Sequence, residues 1–200
     1  MNYIYFDESK HPLQGFVLGA YVFSNEPLEI FVTEALLACG YNPDTNEFKS
    51  SLKKIDDSKS VYLREKIYDI LKICKIAVLI APYAEHQKLL PNEIIKGLYS
   101  IINNNDINGF NNFYVDEGIY NNSNFISPDN FHFNLNSQSH IIKGIQMADL
   151  AAHYRATFLK DTIRGCSKRV LVNSQYPVNE LDLRFEIFHR LRWKFFWAIC

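Results

Sequence analysis

The sequence predicts an α/β domain in which helices cover a mixed β-sheet, followed by a C-terminal helical extension. Short apolar runs rich in aromatic and β-branched residues alternate with longer segments whose apolar residues recur at helical spacing. Of the 200 residues, 48% are hydrophobic and 22% are charged, which is typical of a globular chain. No internal repeat or break in composition precedes residue 160. We therefore expect a domain over residues 1–160 and an extension over 161–200.

The expected strands are apolar runs bounded by turn residues. The first covers Tyr3–Phe6 and the second Gly15–Phe23, and the short turn between them favours an antiparallel hairpin. Lys75–Ala81 is apolar almost throughout and rich in β-branched residues, which predicts a central strand. Residues 112–116 and 131–135 are the other two candidates, and the alternating pattern of the last predicts a half-buried strand.

Four segments before residue 160 have helical periodicity. Pro27 precedes the first and Gly40 follows it, as is common at helix ends. The fourth carries small residues around Ala148, which would let it lie close to a sheet. The expected helices span residues 28–39, 58–73, 89–103 and 142–159.

The C-terminal extension is basic and aromatic. Residues 160–200 contain 8 basic and 4 acidic residues, whereas residues 1–159 contain 13 and 18. A helix over Leu181–Ile199 would have one apolar side. It would pack on the domain, or dock a second copy or a protein partner; contact with nucleic acid or a membrane surface is a further alternative.

The sequence also predicts a cytoplasmic protein without a membrane span. The four cysteines lack the paired spacing of a zinc site or a disulfide framework. The N-terminus has no basic segment followed by an apolar signal core, and no apolar stretch has the length of a bilayer span.

Two Asp–Glu pairs follow apolar runs at the expected ends of strands. Asp7 and Glu8 follow the first run, and Asp116 and Glu117 follow the fourth. An unpaired carboxylate is costly to bury, so either the strand ends are solvated or the acids share a metal site. For Asp7 alone the two explanations are equally good. Alternation along a strand puts Glu8 and Glu117 on the opposite face, where each supports the site or faces solvent.

A third acid, Asp149, lies among small apolar residues of the last predicted helix. A buried acid at such a position needs a partner or a metal ion. Glu47 would not be singled out by itself, and Lys49 is either an ordinary surface lysine or a residue that neutralises the acids or holds a phosphate. His140 and His153 flank Asp149; each is either a surface histidine or a general base.

Four short motifs together resemble the bacterial family known as domain of unknown function 3800, which is considered ribonuclease-H-like. The resemblance covers residues 3–160 and implies a ribonuclease-H-like fold with an acidic metal centre. One departure is Lys10, which follows Ser9 where the family usually has glycine. The motifs are Tyr5-Phe6-Asp7-Glu8-Ser9, Glu47-Phe48-Lys49, Tyr114-Val115-Asp116-Glu117 and Gly144-Ile145-Gln146-Met147-Ala148-Asp149-Leu150-Ala151.

The resemblance also implies which residues hold the metal. Position by position, the ligands of one or two Mg²⁺ or Mn²⁺ ions would be Asp7, Glu47, Asp116 and Asp149. Glu8, Lys49 and Gln146 match the motifs and, with His140, are candidates for contacting substrate or supporting the ligands.

The expected function is a metal-dependent phosphodiester hydrolase that acts as a nuclease on DNA or RNA. Carboxylates are the ligands that these ions prefer, and two ions about 3.5–4 Å apart can stabilise both the attacking and the leaving oxygen of a phosphodiester. The alternative is a non-catalytic module that keeps the fold and binds nucleic acid or protein. A strand-transfer enzyme is a third possibility that the lack of obvious DNA-binding appendages disfavours.

Overall fold

The computed structural model describes residues 1–48, 58–120 and 127–164. The part of the predicted extension beyond Arg164 and the candidate site residue Lys49 therefore lie outside the described residues. In the described part, the strands are β1 (Asn2–His11), β2 (Phe16–Ser24), β3 (Lys75–Pro82), β4 (Asn111–Asp116) and β5 (Phe131–Ser137). The α-helices are α1 (Leu28–Ala38), α2 (Ser58–Lys72), α3 (His86–Asn104) and α4 (Gly144–Arg164).

The strands form one mixed sheet in the order β3-β2-β1-β4-β5, with β1 in the centre. Strand β2 is antiparallel to both of its neighbours, β1 and β3. On the other side of β1, β4 is parallel to β1 and β5 is parallel to β4. The expected hairpin between β1 and β2 is confirmed, and its turn is a short 3-10 helix that ends at Gly15 with φ of 77°. The mixed α/β class predicted from the sequence is also confirmed.

The expectation that Lys75–Ala81 forms a central strand is wrong. Among the described strands, β3 lies at the edge of the sheet and pairs with β2 alone. Each face of β3 nevertheless has buried side chains: Ile76 packs with α1 and α2, and Leu79 packs with α3. A helix-covered edge strand has the same apolar composition as a central strand, so the sequence pattern does not separate them.

The side chains of β1 alternate between two apolar cores. Tyr5 faces the core formed with α1, α2 and α4, whereas Ile4 and Phe6 face the core formed with α3. All three side chains are fully buried. Both faces of β1 are therefore packed against helices. The side chains that follow Phe6 continue to alternate between these two faces of the sheet.

The sequence suggested that β1 ends at its acids, but the strand is longer. It continues to His11, which pairs with Phe16 of β2, whereas its pairing with β4 ends at Phe6 and Val115. Asp7 therefore lies where β1 keeps one neighbour and loses the other. Because β4 is parallel to β1, its own end lies at the same edge of the sheet.

None of the helices in the described ranges combines the length and the hydrophobicity needed to cross a membrane.

Candidate functional site

A cleft of about 480 Å³ opens where β4 stops beside β1. Four acidic side chains predicted from the sequence line it: Asp7, Glu47, Asp116 and Asp149. They come from four separate places in the fold, namely β1, the segment after α1, the end of β4, and α4. The fold thus brings together acids that are up to 142 positions apart in the chain.

Asp7 is an acid whose pKa is strongly perturbed by its surroundings. Its side chain lies on the same face of β1 as Tyr5, below helix α4. Burial raises the pKa of Asp7 well above its usual range, and the negative charges of Asp116 and Asp149 raise it further. The backbone N–H of Glu8 donates a hydrogen bond of 2.6 Å to Asp7 Oδ1 and opposes part of this increase. Asp7 is therefore a carboxylate whose surroundings favour its protonated form.

Asp116 is the last residue of β4 and is less enclosed. Burial is the largest cause that raises the pKa of Asp116 to about 6, and a hydrogen bond from the Glu117 backbone opposes it. The negative charges of Glu117, Asp149 and Glu47 add to the increase. The chain then turns away through Gly118, whose φ of +81° is a conformation that other residues rarely adopt. The strand end and this turn leave Asp116 in the mouth of the cleft and Glu117 exposed beside it.

Helix α4 brings Asp149 to the cleft because its small residues allow a close approach to the sheet. A Cβ atom at Gly144 would collide with the ring of Tyr5, so only glycine fits there as the backbone stands. Ala148 and Ala152 are fully buried in the core that α4 shares with β1 and β2. Asp149 itself is half-buried and contributes to the raised pKa of Asp7.

Gln146 fixes the segment that carries Glu47. Its Oε1 accepts a 2.9 Å hydrogen bond from the backbone N–H of Phe48, and its Nε2 donates a 2.8 Å hydrogen bond to the carbonyl oxygen of Ser139. The Ser139 hydroxyl in turn donates a 3.2 Å hydrogen bond to Glu47 Oε1. One buried amide therefore holds together the two segments from which Glu47 and Ser139 reach the cleft.

Several residues of the cleft were not proposed as site residues from the sequence, and Ser139 and Lys10 are the polar ones that the sequence analysis did not consider for the site. Ser139 lies in a polar stretch without any local signal for a site. Lys10 lines the cleft on the α3 side of the sheet, and its Nζ is 2.6 Å from Glu8 Oε1. For Glu8, the solvent-facing alternative is wrong because its side chain is only 7% exposed. The β-strand alternation does place Glu8 opposite Asp7, but both faces reach the same cleft.

His140, a candidate for contacting substrate, does not line the cleft. His140 is exposed in the turn before α4 and is absent from the cleft lining. Its carbonyl oxygen accepts a 3.1 Å hydrogen bond from Lys143 Nζ. The turn therefore has a structural contact, whereas a catalytic contact by the imidazole would require His140 to move.

The donor chemistry of the cleft suits hard divalent cations. All four predicted ligands offer carboxylate oxygens, which Mg²⁺ and Mn²⁺ favour. Within residues 1–48, 58–120 and 127–164, however, no three His, Cys, Asp or Glu side chains are gathered closely enough to hold an ion as they stand. The acids share a cleft and influence one another's charge, and rotation of their side chains would be needed to bring them onto one ion.

No family model matches this chain, and no match was found among curated proteins or among solved structures.

Proposed function

We propose that this protein is a metal-dependent phosphodiester hydrolase of ribonuclease-H-like fold, related to the domain of unknown function 3800 family, and that it acts as a nuclease. Its substrate would be DNA or RNA. Asp7, Glu47, Asp116 and Asp149 would bind one or two Mg²⁺ or Mn²⁺ ions. The mixed sheet with helices on both faces and acids near the ends of two parallel strands supports this proposal.

One observation carries the proposal: four acids from distant parts of the chain line one cleft although their charges repel. Burial and the neighbouring charges of Asp116 and Asp149 raise the pKa of Asp7, so collecting these groups costs folding free energy. A protein site that concentrates like charge at such a cost is a candidate for function. A divalent cation would relieve this repulsion, and its own charge would lower the pKa values of the acids that it touches.

The protein's own groups would have distinct tasks. Asp7 and Asp116 are presented by the central strand and its parallel neighbour, and Asp149 is presented by a helix packed on both. Gln146 and Ser139 hold Glu47 in reach of the cleft. The chemistry that bound ions supply is activation of an attacking water and stabilisation of the charge on the leaving oxygen.

The experiment combines metal binding with cleavage. Asp7→Asn and Asp149→Asn keep the side-chain volume but remove one ligand charge each. We expect each to weaken Mn²⁺ binding, measured by calorimetry, at least tenfold, and to reduce Mn²⁺-dependent cleavage of labelled DNA and RNA oligonucleotides at least 100-fold. Asp129→Asn is the matched control, because Asp129 is exposed and lies outside the cleft. Wild-type cleavage by both cleft variants would refute the assigned site.

The alternative is a non-catalytic module that binds nucleic acid or protein, with a protein partner or second copy docking on the C-terminal extension. The observation in its favour is that no described group of three potential ligands is assembled for an ion. This alternative predicts that wild-type protein binds an oligonucleotide or a partner without Mn²⁺ and cuts nothing when Mn²⁺ is added. Metal-dependent cleavage that requires Asp7 would exclude it.

A further inference from the structure

The cleft has a second side that the four acids do not explain. Glu8 and Lys10 lie on the α3 face of β1, opposite the face that carries Asp7, yet both line the same cleft. Among the described lining residues, Lys10 is the one cation, and the others with charge are all acidic. If the cleft binds a phosphodiester, which is an anion, this lysine is a candidate for contacting it.

An ion pair with Glu8 restricts the conformation of the Lys10 side chain. Its Nζ is 2.6 Å from Glu8 Oε1, and the Glu8 side chain is only 7% exposed. Glu8 Oε2 is also buried and accepts no hydrogen bond from the described residues, so moving Lys10 away would leave a buried carboxylate without its cation. This arrangement reduces the conformational freedom that a lysine side chain would lose on binding a ligand.

The ammonium group still has donors to offer. A lysine ammonium has three N–H groups, and the contact with Glu8 Oε1 uses one of them. The Lys10 side chain is 51% exposed, so the remaining donors are accessible from the cleft. A phosphate oxygen is the acceptor that best matches a localised positive charge of this kind.

We propose that Lys10, held by Glu8, binds a backbone phosphate that neighbours the phosphate cleaved at the acids, so that the substrate is a nucleic-acid strand crossing the edge of the sheet beside β1. The inference rests on the proposed function. Lys10 follows Asp7 by three residues, about 10 Å along a strand, and lies on the other face. One phosphate group cannot meet both places, so a ligand that uses both carries at least two phosphates.

The test compares a polymer with a small diester. The substrates are a labelled single-stranded oligonucleotide and bis(4-nitrophenyl) phosphate, which has a single phosphodiester. We expect Lys10→Gln to lower kcat/KM for the oligonucleotide at least fivefold, through KM, and to lower it for the small diester less than twofold. The plot of log Kd against log salt for oligonucleotide binding in Ca²⁺ should become shallower by about 0.7, the contribution of one phosphate contact on a single strand. Lys10→Arg should restore both values to within twofold of wild type.

Lys96→Gln is the matched control. Lys96 also forms a 2.8 Å ion pair with a glutamate, Glu93, but lies on α3 outside the cleft. Equal losses on both substrates, an unchanged salt slope, or the same effect in Lys96→Gln would overturn the role of Lys10. If Asp7→Asn and Asp149→Asn both cut at the wild-type rate, the proposed function fails, and if only the Lys10 results fail, the acidic site stands. If wild type cuts nothing, the Ca²⁺ binding series decides: weaker, less salt-dependent binding by Lys10→Gln upholds the contact, and no binding by wild type refutes it.

Discussion

The two Asp–Glu pairs of the chain are nearly the same in sequence and differ in structure. Asp7 and Glu8 lie within the central strand, which continues beyond them beside β2. Asp116 and Glu117 lie where β4 ends and the chain turns at Gly118. As a result, the Glu8 side chain is buried and ion-paired, whereas Glu117 is exposed.

This difference shows that the neighbours of a strand, more than the local pattern, decide how much an acid is perturbed. Asp7 has β2 on one side and α4 above it, and burial and two carboxylates raise its pKa strongly. Asp116 has fewer enclosing elements, and its pKa rises only to about 6. The predicted site therefore has an enclosed acid and a more open one, and the consequences of removing each should differ in size.

The largest expected effect separates the two members of the second pair. Asp116→Asn should reduce Mn²⁺-dependent cleavage at least 100-fold, because it removes the charge of a proposed metal ligand from the cleft. Glu117→Gln should reduce it less than threefold, because Glu117 is exposed and follows the proposed ligand on the other face. Initial rates on one oligonucleotide at saturating Mn²⁺ provide the measurement. Equal losses in the two variants would show that the alternation does not separate ligand from neighbour.

The sequence predicts some of these acids and not others, for a physical reason. Asp7, Asp116 and Asp149 interrupt apolar segments, and a charge in such a place is a local signal. Glu47 has no such signal and enters only through the resemblance, because Gln146 places it by holding its neighbour Phe48, 98 positions away in the chain. Ser139 is likewise placed by contacts distant in sequence.

The fold, like the site, is predictable from the sequence where local residues determine it and not where distant contacts do. Local periodicity predicts the hairpin, the helices and the mixed sheet, all of which the structure shows in the described residues. The edge position of β3 and the continuation of β1 to His11 depend on which elements cover and pair with them. A single strand's residues do not contain that information. A helix-covered edge strand is as apolar as a central one, and the polar residues 7–11 belong to β1 because β2 pairs with them.

The second prediction concerns the stability of the metal-free protein. An aspartate with a raised pKa in the folded state holds its proton longer than the unfolded chain does, so stability falls as pH rises from about 4 towards the folded pKa. Asp116→Asn should raise the free energy of unfolding by about 1 kcal/mol, with the gain appearing between pH 4 and 6. Asp7→Asn should give a larger gain, because burial and the neighbouring carboxylates raise the pKa of Asp7 well above its usual range.

Urea unfolding in EDTA at pH 4.5, 6 and 8 measures both gains. Asparagine at position 7 retains an Oδ1 that can accept the hydrogen bond from the Glu8 N–H, so the local backbone contact is preserved. Added Mn²⁺ should reverse the order and favour wild type, since only the carboxylates gain from the ion. A destabilised Asp7→Asn at pH 8 in EDTA would mean that Asp7 is compensated by its surroundings, and the comparison between the two pairs would then fail.

The smallest expected effect distinguishes the two glutamates. Glu8→Ala should destabilise the protein by about 1 kcal/mol, because it removes a mostly buried side chain and its 2.6 Å contact with Lys10. The half-exposed lysine limits the contribution of the pair, and the buried oxygen without a hydrogen bond offsets part of it. Glu117→Ala should stay within about 0.5 kcal/mol of wild type. Urea unfolding at pH 7 measures both, and a stabilised Glu8→Ala would mean that the desolvation of Glu8 outweighs its pairing with Lys10.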